Sequence, residues 1–206
     1  MEIEMKYALP DAECSDEIWN DEFLNSITNN NTAEALVMKA IYFDTEDMRL
    51  TKNKMAVRVR AEGDRIFATL KAGDKQQDGM FERHEVNVPI SDSLGLMSLS
   101  PEVFEQSEEG QELIKLVEGK PLINLFEMRF LRRCKKLSYG SSVMELALDL
   151  GSIISDKGEK PICEMEIELY AGKPEDIQAL GAKIAEKYGL TPKTTSKFKD
   201  GLSIGE

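Results

Sequence analysis

The chain has 206 residues, with 26 Lys and Arg against 38 Asp and Glu, one His and a formal net charge of −12. That length fits one large domain or two small ones, with roughly 70% of the unfolded surface buried on folding. A 41% apolar fraction argues against general disorder, and the negative charge argues against nucleic acid and anionic membranes as partners, because both are polyanions.

Residues 1–9 alternate, with Glu2, Glu4 and Lys6 on one side and Ile3, Met5 and Tyr7 on the other. Period two predicts a strand with one apolar face. Residues 11–34 carry seven acids and no Lys or Arg, with Trp19, Phe23, Leu24 and Ile27 at helical spacing. This predicts one acidic amphipathic helix that ends in the Asn29-Asn30-Asn31 loop. Strand patterns follow at 36–45, 54–61, 65–71 and 80–88, with Gly63-Asp64 as a hairpin turn. Two helices are expected in 91–119, the second starting near Ser100-Pro101. Strands resume at 121–138, 142–150 and 161–170, and a helix at about 174–188 stops at Gly189. The segment 191–206 reads as a polar tail. No repeat or linker divides the chain, so the expectation is a single α+β domain over 1–206, built on an antiparallel sheet or barrel.

Cys14, Cys134 and Cys163 are odd in number and lack metal-site spacing, which points to a reducing compartment. The N-terminus is charged from Glu2 onward and lacks the apolar core of a signal peptide. No apolar run approaches the about 18 residues of a membrane span. A soluble cytoplasmic protein without membrane contact is the default. His84 is the single histidine, so a His-based metal site is excluded and a Ser–His pair would have to use it.

The polar faces of these strands are unusually rich in charge. Glu164, Glu166 and Glu168 project side by side, about 6.5–7 Å apart. Such carboxylates repel unless a cation screens them, and an oxygen-only donor set favours Mg²⁺, Mn²⁺ or Ca²⁺ over Zn²⁺. Arg58 and Arg60 form a basic counterpart, and Glu145 and Asp149 add acids on another strand. One such face is ordinarily a solvated surface. Several converge on one interior if the sheet closes, and a barrel of about eight strands can hold a small ligand. Acids for metals and bases for phosphate oxygens suit a metal–polyanion pair.

The opening Glu2-x-Glu4-x-Lys6 resembles the E-x-E-x-K signature of the CYTH superfamily, the triphosphate tunnel metalloenzymes. Further likenesses follow in order: Tyr42-Phe43-Asp44-Thr45, Val57-Arg58-Val59-Arg60, Thr69-Leu70-Lys71, Arg83-x-Glu85, Glu145-Leu146-Ala147-Leu148-Asp149 with Gly151, Pro161 to Leu169 with its E-x-E-x-E, and Ser196-Lys197. They span residues 2–197, nearly the whole chain. The resemblance implies an eight-stranded closed antiparallel β-barrel with flanking helices, which binds triphosphate with divalent metal. The helical insertion at 91–119 looks most like the bacterial inorganic triphosphatase branch. That branch often carries a following α-helical CHAD domain, and a CYTH domain without one is expected here.

On that resemblance, Glu2, Glu4, Glu164 and Glu166 are the expected metal ligands, with Glu168 and Asp149 as alternates, for Mg²⁺ or Mn²⁺. Arg58, Arg60, Lys71, Arg83, Arg132 and Lys197 are expected on phosphate oxygens. Arg129 is the second choice for the place given to Arg132. Lys6 would hold a terminal phosphate or orient water, and Lys6, Glu4 and Glu166 form the expected catalytic group. Glu85 and Glu145 would position arginines, and His84 would lie outside the tunnel. The expected reaction is metal-dependent hydrolysis of inorganic triphosphate to pyrophosphate and phosphate. The alternatives are adenylate cyclisation, thiamine or nucleoside triphosphate hydrolysis, and non-catalytic polyphosphate binding. The expected partner is a small anionic substrate; a homodimer stays open. Residues 11–34 and 101–118 together hold 13 acids and one Lys, which alone accounts for the net charge of −12. The expected tunnel is then nearly neutral, and substrate binding should need metal.

Overall fold

The computed structural model describes residues 2–77, 80–91 and 98–205. Eight strands form the wall: β1 (Glu2–Ala8), β2 (Glu34–Asp44), β3 (Met55–Glu62), β4 (Arg65–Gln77), β5 (Met80–Pro89), β6 (Ile123–Tyr139), β7 (Ser142–Ser155) and β8 (Gly158–Ala171). Their order is β5-β4-β3-β2-β6-β7-β8-β1, and a β5–β1 pairing closes the sheet. The ladders that join them are antiparallel. The expected closed barrel is therefore present. A two-residue strand β9, Thr191–Pro192, adds to β1.

The hairpin between β3 and β4 turns at Gly63-Asp64, where Glu62 pairs with Arg65. Gly63 has φ of 57°, which a side chain would resist. Among the described residues six helices decorate the barrel: α1 (Ala12–Trp19), α2 (Glu22–Ser26), α3 (Arg49–Lys52), α4 (Glu108–Val117), α5 (Pro174–Tyr188) and α6 (Lys197–Leu202).

Three sequence expectations change here. The acidic segment 11–34 forms two short helices, because Asp21 accepts from Leu24 N and starts α2 afresh. At Ser100-Pro101 there is only a 3₁₀ turn, Pro101–Phe104. The helix proper begins at Glu108, where Ser107 caps Gly110 N at 3.0 Å. The other helix expected in 91–119 falls largely on 92–97, outside the described residues. The polar tail contains β9 and α6, the latter capped by Ser196. Its period is too short to stand out from the sequence.

Period two divides each strand into an outer and an inner face. Outside, α1, α2 and α5 bury Ile18, Leu24, Ile177, Leu180 and Ile184 against Leu146, Leu148, Met165 and Ile167. On the far side, α3 and α4 bury Leu50, Leu113 and Val117 against Phe43, Val57, Val59 and Leu70. Each such side chain contributes about 1.5–3 kcal/mol when buried. A third cluster lies within the barrel near α6: Met38, Tyr42, Phe126, Met128, Phe130, Ile153, Ile162 and Ile204, flanked by Phe198 and Leu202. Tyr42, Phe126 and Phe198 pack with ring centroids 5.1–5.9 Å apart. Gly201 permits this, since a Cβ there would lie 2.5 Å from the Phe126 ring.

This third cluster sets the axis of the interior. Inward positions along β6 run from Phe126 through Phe130 to Arg132, Cys134 and Lys136. Along β8 they run from Ile162 through Glu164 and Glu166 to Glu168 and Tyr170. Apolar packing gives way to buried charge and then to an exposed polar rim. No helix among the described residues is long and apolar enough to cross a membrane.

Candidate active site

The inner face encloses a cavity of about 670 Å³ lined by Glu2, Glu4, Lys6, Arg58, Arg60, Lys71, Arg83, Arg132, Glu166, Glu168 and Lys197, among others. Such a volume is typical of small-ligand sites. Register brings these residues together. Glu4 faces Glu168 and Lys6 faces Glu166 across β1–β8. Asp149 of β7 stands between Arg132 of β6 and Glu164 of β8. Lys71 faces Glu85 across β4–β5, and Arg83 faces Glu2 across β5–β1.

Most of the cations are held by carboxylates. The Lys6 ammonium lies 3.0 Å from Glu4 and contacts Glu166. Arg83 donates to Glu2 at 3.1 Å and also contacts Glu4. Lys71 donates to Glu2 at 3.0 Å and pairs with Glu85 at 2.5 Å. Arg132 forks onto both Asp149 oxygens at 2.7 and 2.6 Å and reaches Glu166 at 2.5 Å. Arg129, by contrast, is on the outer face with Glu127, and Arg133 is there with Asp16.

Asp149, Glu164 and Glu166 offer carboxylate oxygens within 4.8 Å of one another, a spacing that could hold a metal ion. The Lys197 ammonium contacts all three, at 2.7 Å from Asp149 and 3.0 Å from Glu166. Lys193 closes on Glu164 as well. Burial favours a neutral Glu166, but Lys197, Lys6 and Arg132 outweigh it and hold this carboxyl well below the usual range. Burial likewise opposes the charge on Glu4, and Lys6 overcomes it, bringing Glu4 to about 2.

Glu168 differs. It has no ion pair among the described residues; burial, reinforced by Glu2 and Glu4, pushes its carboxyl up to about 7. Burial also raises Glu2, with Glu4 and Glu85 adding to the effect against Lys71 and Arg83. Within this acidic wall Glu168 is the carboxyl that no cation among the described residues pairs with.

The opposite wall carries the reverse imbalance. Among the described residues the guanidinium of Arg58 hydrogen-bonds only the Tyr42 hydroxyl, at 3.3 Å, and its buried Nε has no hydrogen-bond partner. The buried Nε of Arg60 is also unpartnered, although its NH2 reaches Glu62. Burial, with Arg58 alongside, lowers Arg60 to about 10. An orphaned buried donor is costly and invites an anionic acceptor.

Two expected positioning residues are placed differently from one another. Glu85 holds Lys71 and Asn87, at 2.5 and 2.7 Å. Glu145 accepts from the Tyr170 hydroxyl at 2.9 Å and holds no arginine. His84 faces away from the cavity, 3.2 Å from Glu109. Sequence reasoning missed Lys193, although it stands four residues before Lys197. It also gave no role to Tyr42.

The closed antiparallel barrel with its mixed acidic and basic interior defines the class of fold. The chain belongs to the CYTH domain family, which matches residues 1–202. It is 30% identical over 169 residues to an inorganic triphosphatase of Haemophilus influenzae, covering 80% of this chain. The chain spans only 45% of that relative's length. The fold is shared with a Hippeastrum protein described as an adenylyl cyclase with a dominant triphosphatase activity (TM-score 0.73, 20% identity, 98% of this chain and 96% of that one). It is also shared with a Bacillus halodurans protein named as an adenylate cyclase (TM-score 0.62, 20% identity, 98% of each chain).

Proposed function

We propose that this domain hydrolyses inorganic triphosphate to pyrophosphate and phosphate with the help of Mg²⁺ or Mn²⁺. The single observation that carries the reading is the pair of orphaned guanidinium nitrogens, Arg58 Nε and Arg60 Nε, beside a cavity lined with further cations. The family and the Haemophilus triphosphatase support it.

The donor chemistry fits a hard divalent cation. Glu2, Glu4 and Glu168 supply oxygen only, and Glu168 lacks a cationic partner among the described residues. Lys197 already sits among Asp149, Glu164 and Glu166. We assign the metal to Glu2, Glu4 and Glu168 because Glu168 holds no cation among the described residues. Glu2 and Glu4 would give up contacts to Lys71, Arg83 and Lys6 to bind it, while Asp149 and Glu164 orient Lys197 and Arg132. Bound there, the cation would supply charge neutralisation on phosphate oxygens.

The protein's own residues do the rest. Arg58, Arg60, Lys71, Arg83, Arg132 and Lys197 bind the phosphate oxygens and spread the charge of the transferring phosphoryl group. Lys6 stays an ammonium, because Glu166 and Glu4 outweigh the effect of burial and raise its pKa. It therefore acts as a donor to a terminal phosphate or to the leaving pyrophosphate, never as a base. Glu166 is held ionised and fixes Lys6, Arg132 and Lys197 in place. Phosphoryl transfer to water passes through a loose transition state that asks mainly for positioning and electrostatic stabilisation. A buried ring of preset cations meets that demand without a nucleophilic side chain.

The test is a substrate panel of tripolyphosphate, ATP, thiamine triphosphate and pyrophosphate, with Mg²⁺ or Mn²⁺ and full product analysis. Tripolyphosphate should yield one phosphate and one pyrophosphate. Cyclic AMP from ATP, with tripolyphosphate left intact, would replace this reading by the cyclase one.

A further inference from the structure

We propose that Lys193, anchored by Asp200, is a positioning residue that keeps Glu164 neutralised while the cations of the tunnel turn to phosphate. This deepens the triphosphate reading above and rests on it.

Asp149, Glu164 and Glu166 are all buried, and each is held by cations. Asp149 meets Arg132 and Lys197. Glu166 meets Lys6, Arg132 and Lys197. Glu164 meets Lys197 and Lys193. Of these four cations, Lys6, Arg132 and Lys197 line the cavity and are the ones assigned to phosphate oxygens; Lys193 stands behind the carboxylates, off the cavity. A buried carboxylate stripped of its counter-ion is strongly destabilising. With Lys197 as its one partner, Glu164 would be left bare whenever Lys197 swung a donor toward substrate. Lys193 removes that cost, because a ligand in the tunnel does not compete for it.

The local structure is built to hold Lys193 there. Thr191 and Pro192 of β9 pair with Ala8 and Tyr7 of β1, and the Lys193 N–H donates to the Lys6 carbonyl at 2.8 Å. The ammonium then falls between Glu164 and Asp200, 2.7 Å from Asp200 Oδ2. Asp200 is itself fixed. The Thr195 hydroxyl and the Lys160 ammonium meet its Oδ1 at 2.9 and 3.2 Å, and its N–H donates to the Ser196 carbonyl at 2.9 Å in the first turn of α6. Lys160, Asp200, Lys193, Glu164 and Lys197 thus form a line of alternating charge from the outside of the barrel to the buried site.

The experiment measures tripolyphosphate affinity by calorimetry with Mg²⁺ for wild type, Lys193→Met, Lys193→Arg and Asp200→Asn. It then compares Glu164→Gln with the Glu164→Gln, Lys193→Met double variant. Circular dichroism verifies the fold of each. The expected result is a roughly tenfold loss in Lys193→Met and a smaller loss in Asp200→Asn, with Lys193→Arg, which keeps the charge, within about twofold of wild type. Glu164→Gln removes the charge to be neutralised, so adding Lys193→Met to it should change affinity less than about twofold. A residue that merely shaped the loop would cost the same in both backgrounds. Equal losses in the two backgrounds, an unchanged affinity in Lys193→Met or Asp200→Asn, a loss in Lys193→Arg as large as in Lys193→Met, or no binding to wild type would each overturn the proposal. Failure of the triphosphatase reading shows separately, as absence of phosphate release from tripolyphosphate by wild type, and the affinities still decide the role of Lys193.

Discussion

Glu4 and Glu168 stand directly opposite each other on the inner face of the β1–β8 ladder. Like charges so placed repel, and the effect is visible in the Glu168 carboxyl, raised to about 7 by burial together with Glu2 and Glu4. Arg58 and Arg60 present the opposite excess across the cavity. Each imbalance would be relieved by one part of the proposed metal–triphosphate complex.

Glu168→Gln should therefore stabilise the metal-free protein, by about 1 kcal/mol in urea denaturation at pH 8 with EDTA. Saturating Mg²⁺ should reverse the order, because the variant has lost one carboxylate of the proposed site. A variant less stable than wild type without metal would contradict the charge imbalance.

Arg58 and Arg132 should respond differently to alanine. Among the described residues no carboxylate lies within ion-pair distance of Arg58, although Glu85 and Glu2 act on it from further off, so its loss should weaken tripolyphosphate affinity roughly tenfold or more with little change in Tm. Arg132 satisfies Asp149, which is fully buried, and Glu166. Its removal should cost about 3 kcal/mol of stability besides affinity. KM and thermal melting, measured together, separate the two cases.

The barrel and much of its lining were legible because period two makes each strand declare its faces. Spacing to Asp149 favoured Arg132 but left Arg129 and Arg133 open, and it is the register that places Arg132 inward. The division of labour among the carboxylates was not legible. Glu164, Glu166 and Glu168 are equivalent as a repeat. They differ because Lys193 and Lys197 arrive from a distant segment and neutralise only the first two. Short elements were lost for another reason. The break at Asp21 and the six-residue α6 are fixed by single caps and tertiary packing, which periodicity does not report.

Asp44 is a structural residue inside one of the motifs that carry the family resemblance, Tyr42-Phe43-Asp44-Thr45. Its fully buried carboxylate accepts from the backbone N–H of Thr45, Leu50 and Thr51 and from the Thr51 hydroxyl, at 2.7–2.9 Å. It pins α3 to the end of β2. Asp44→Ala strands these donors and should cost about 3 kcal/mol or more, measured by urea denaturation. A loss of activity without a loss of stability would reassign it to the site.

Asp21 supplies the pH dependence outside the tunnel. Burial opposes its charge, but Lys187, Tyr188 and Leu24 N outweigh that and bring it to about 2, below the ordinary 3.8. A depressed carboxyl contributes stability above about pH 4 that is lost as pH falls toward 2. Its contribution is about 2 kcal/mol. Asp21→Asn should lower stability at pH 7, and the gap to wild type should narrow by pH 2–3. A gap independent of pH would mean that the side chain acts through packing alone.

The most direct measurement is phosphorus NMR of tripolyphosphate incubated with Mg²⁺ and wild type or Glu4→Gln, with folding verified by circular dichroism. The account predicts equimolar phosphate and pyrophosphate from wild type, suppression by EDTA, and a loss of at least about a hundredfold in the variant. Equal release with EDTA present, or from Glu4→Gln, would contradict it.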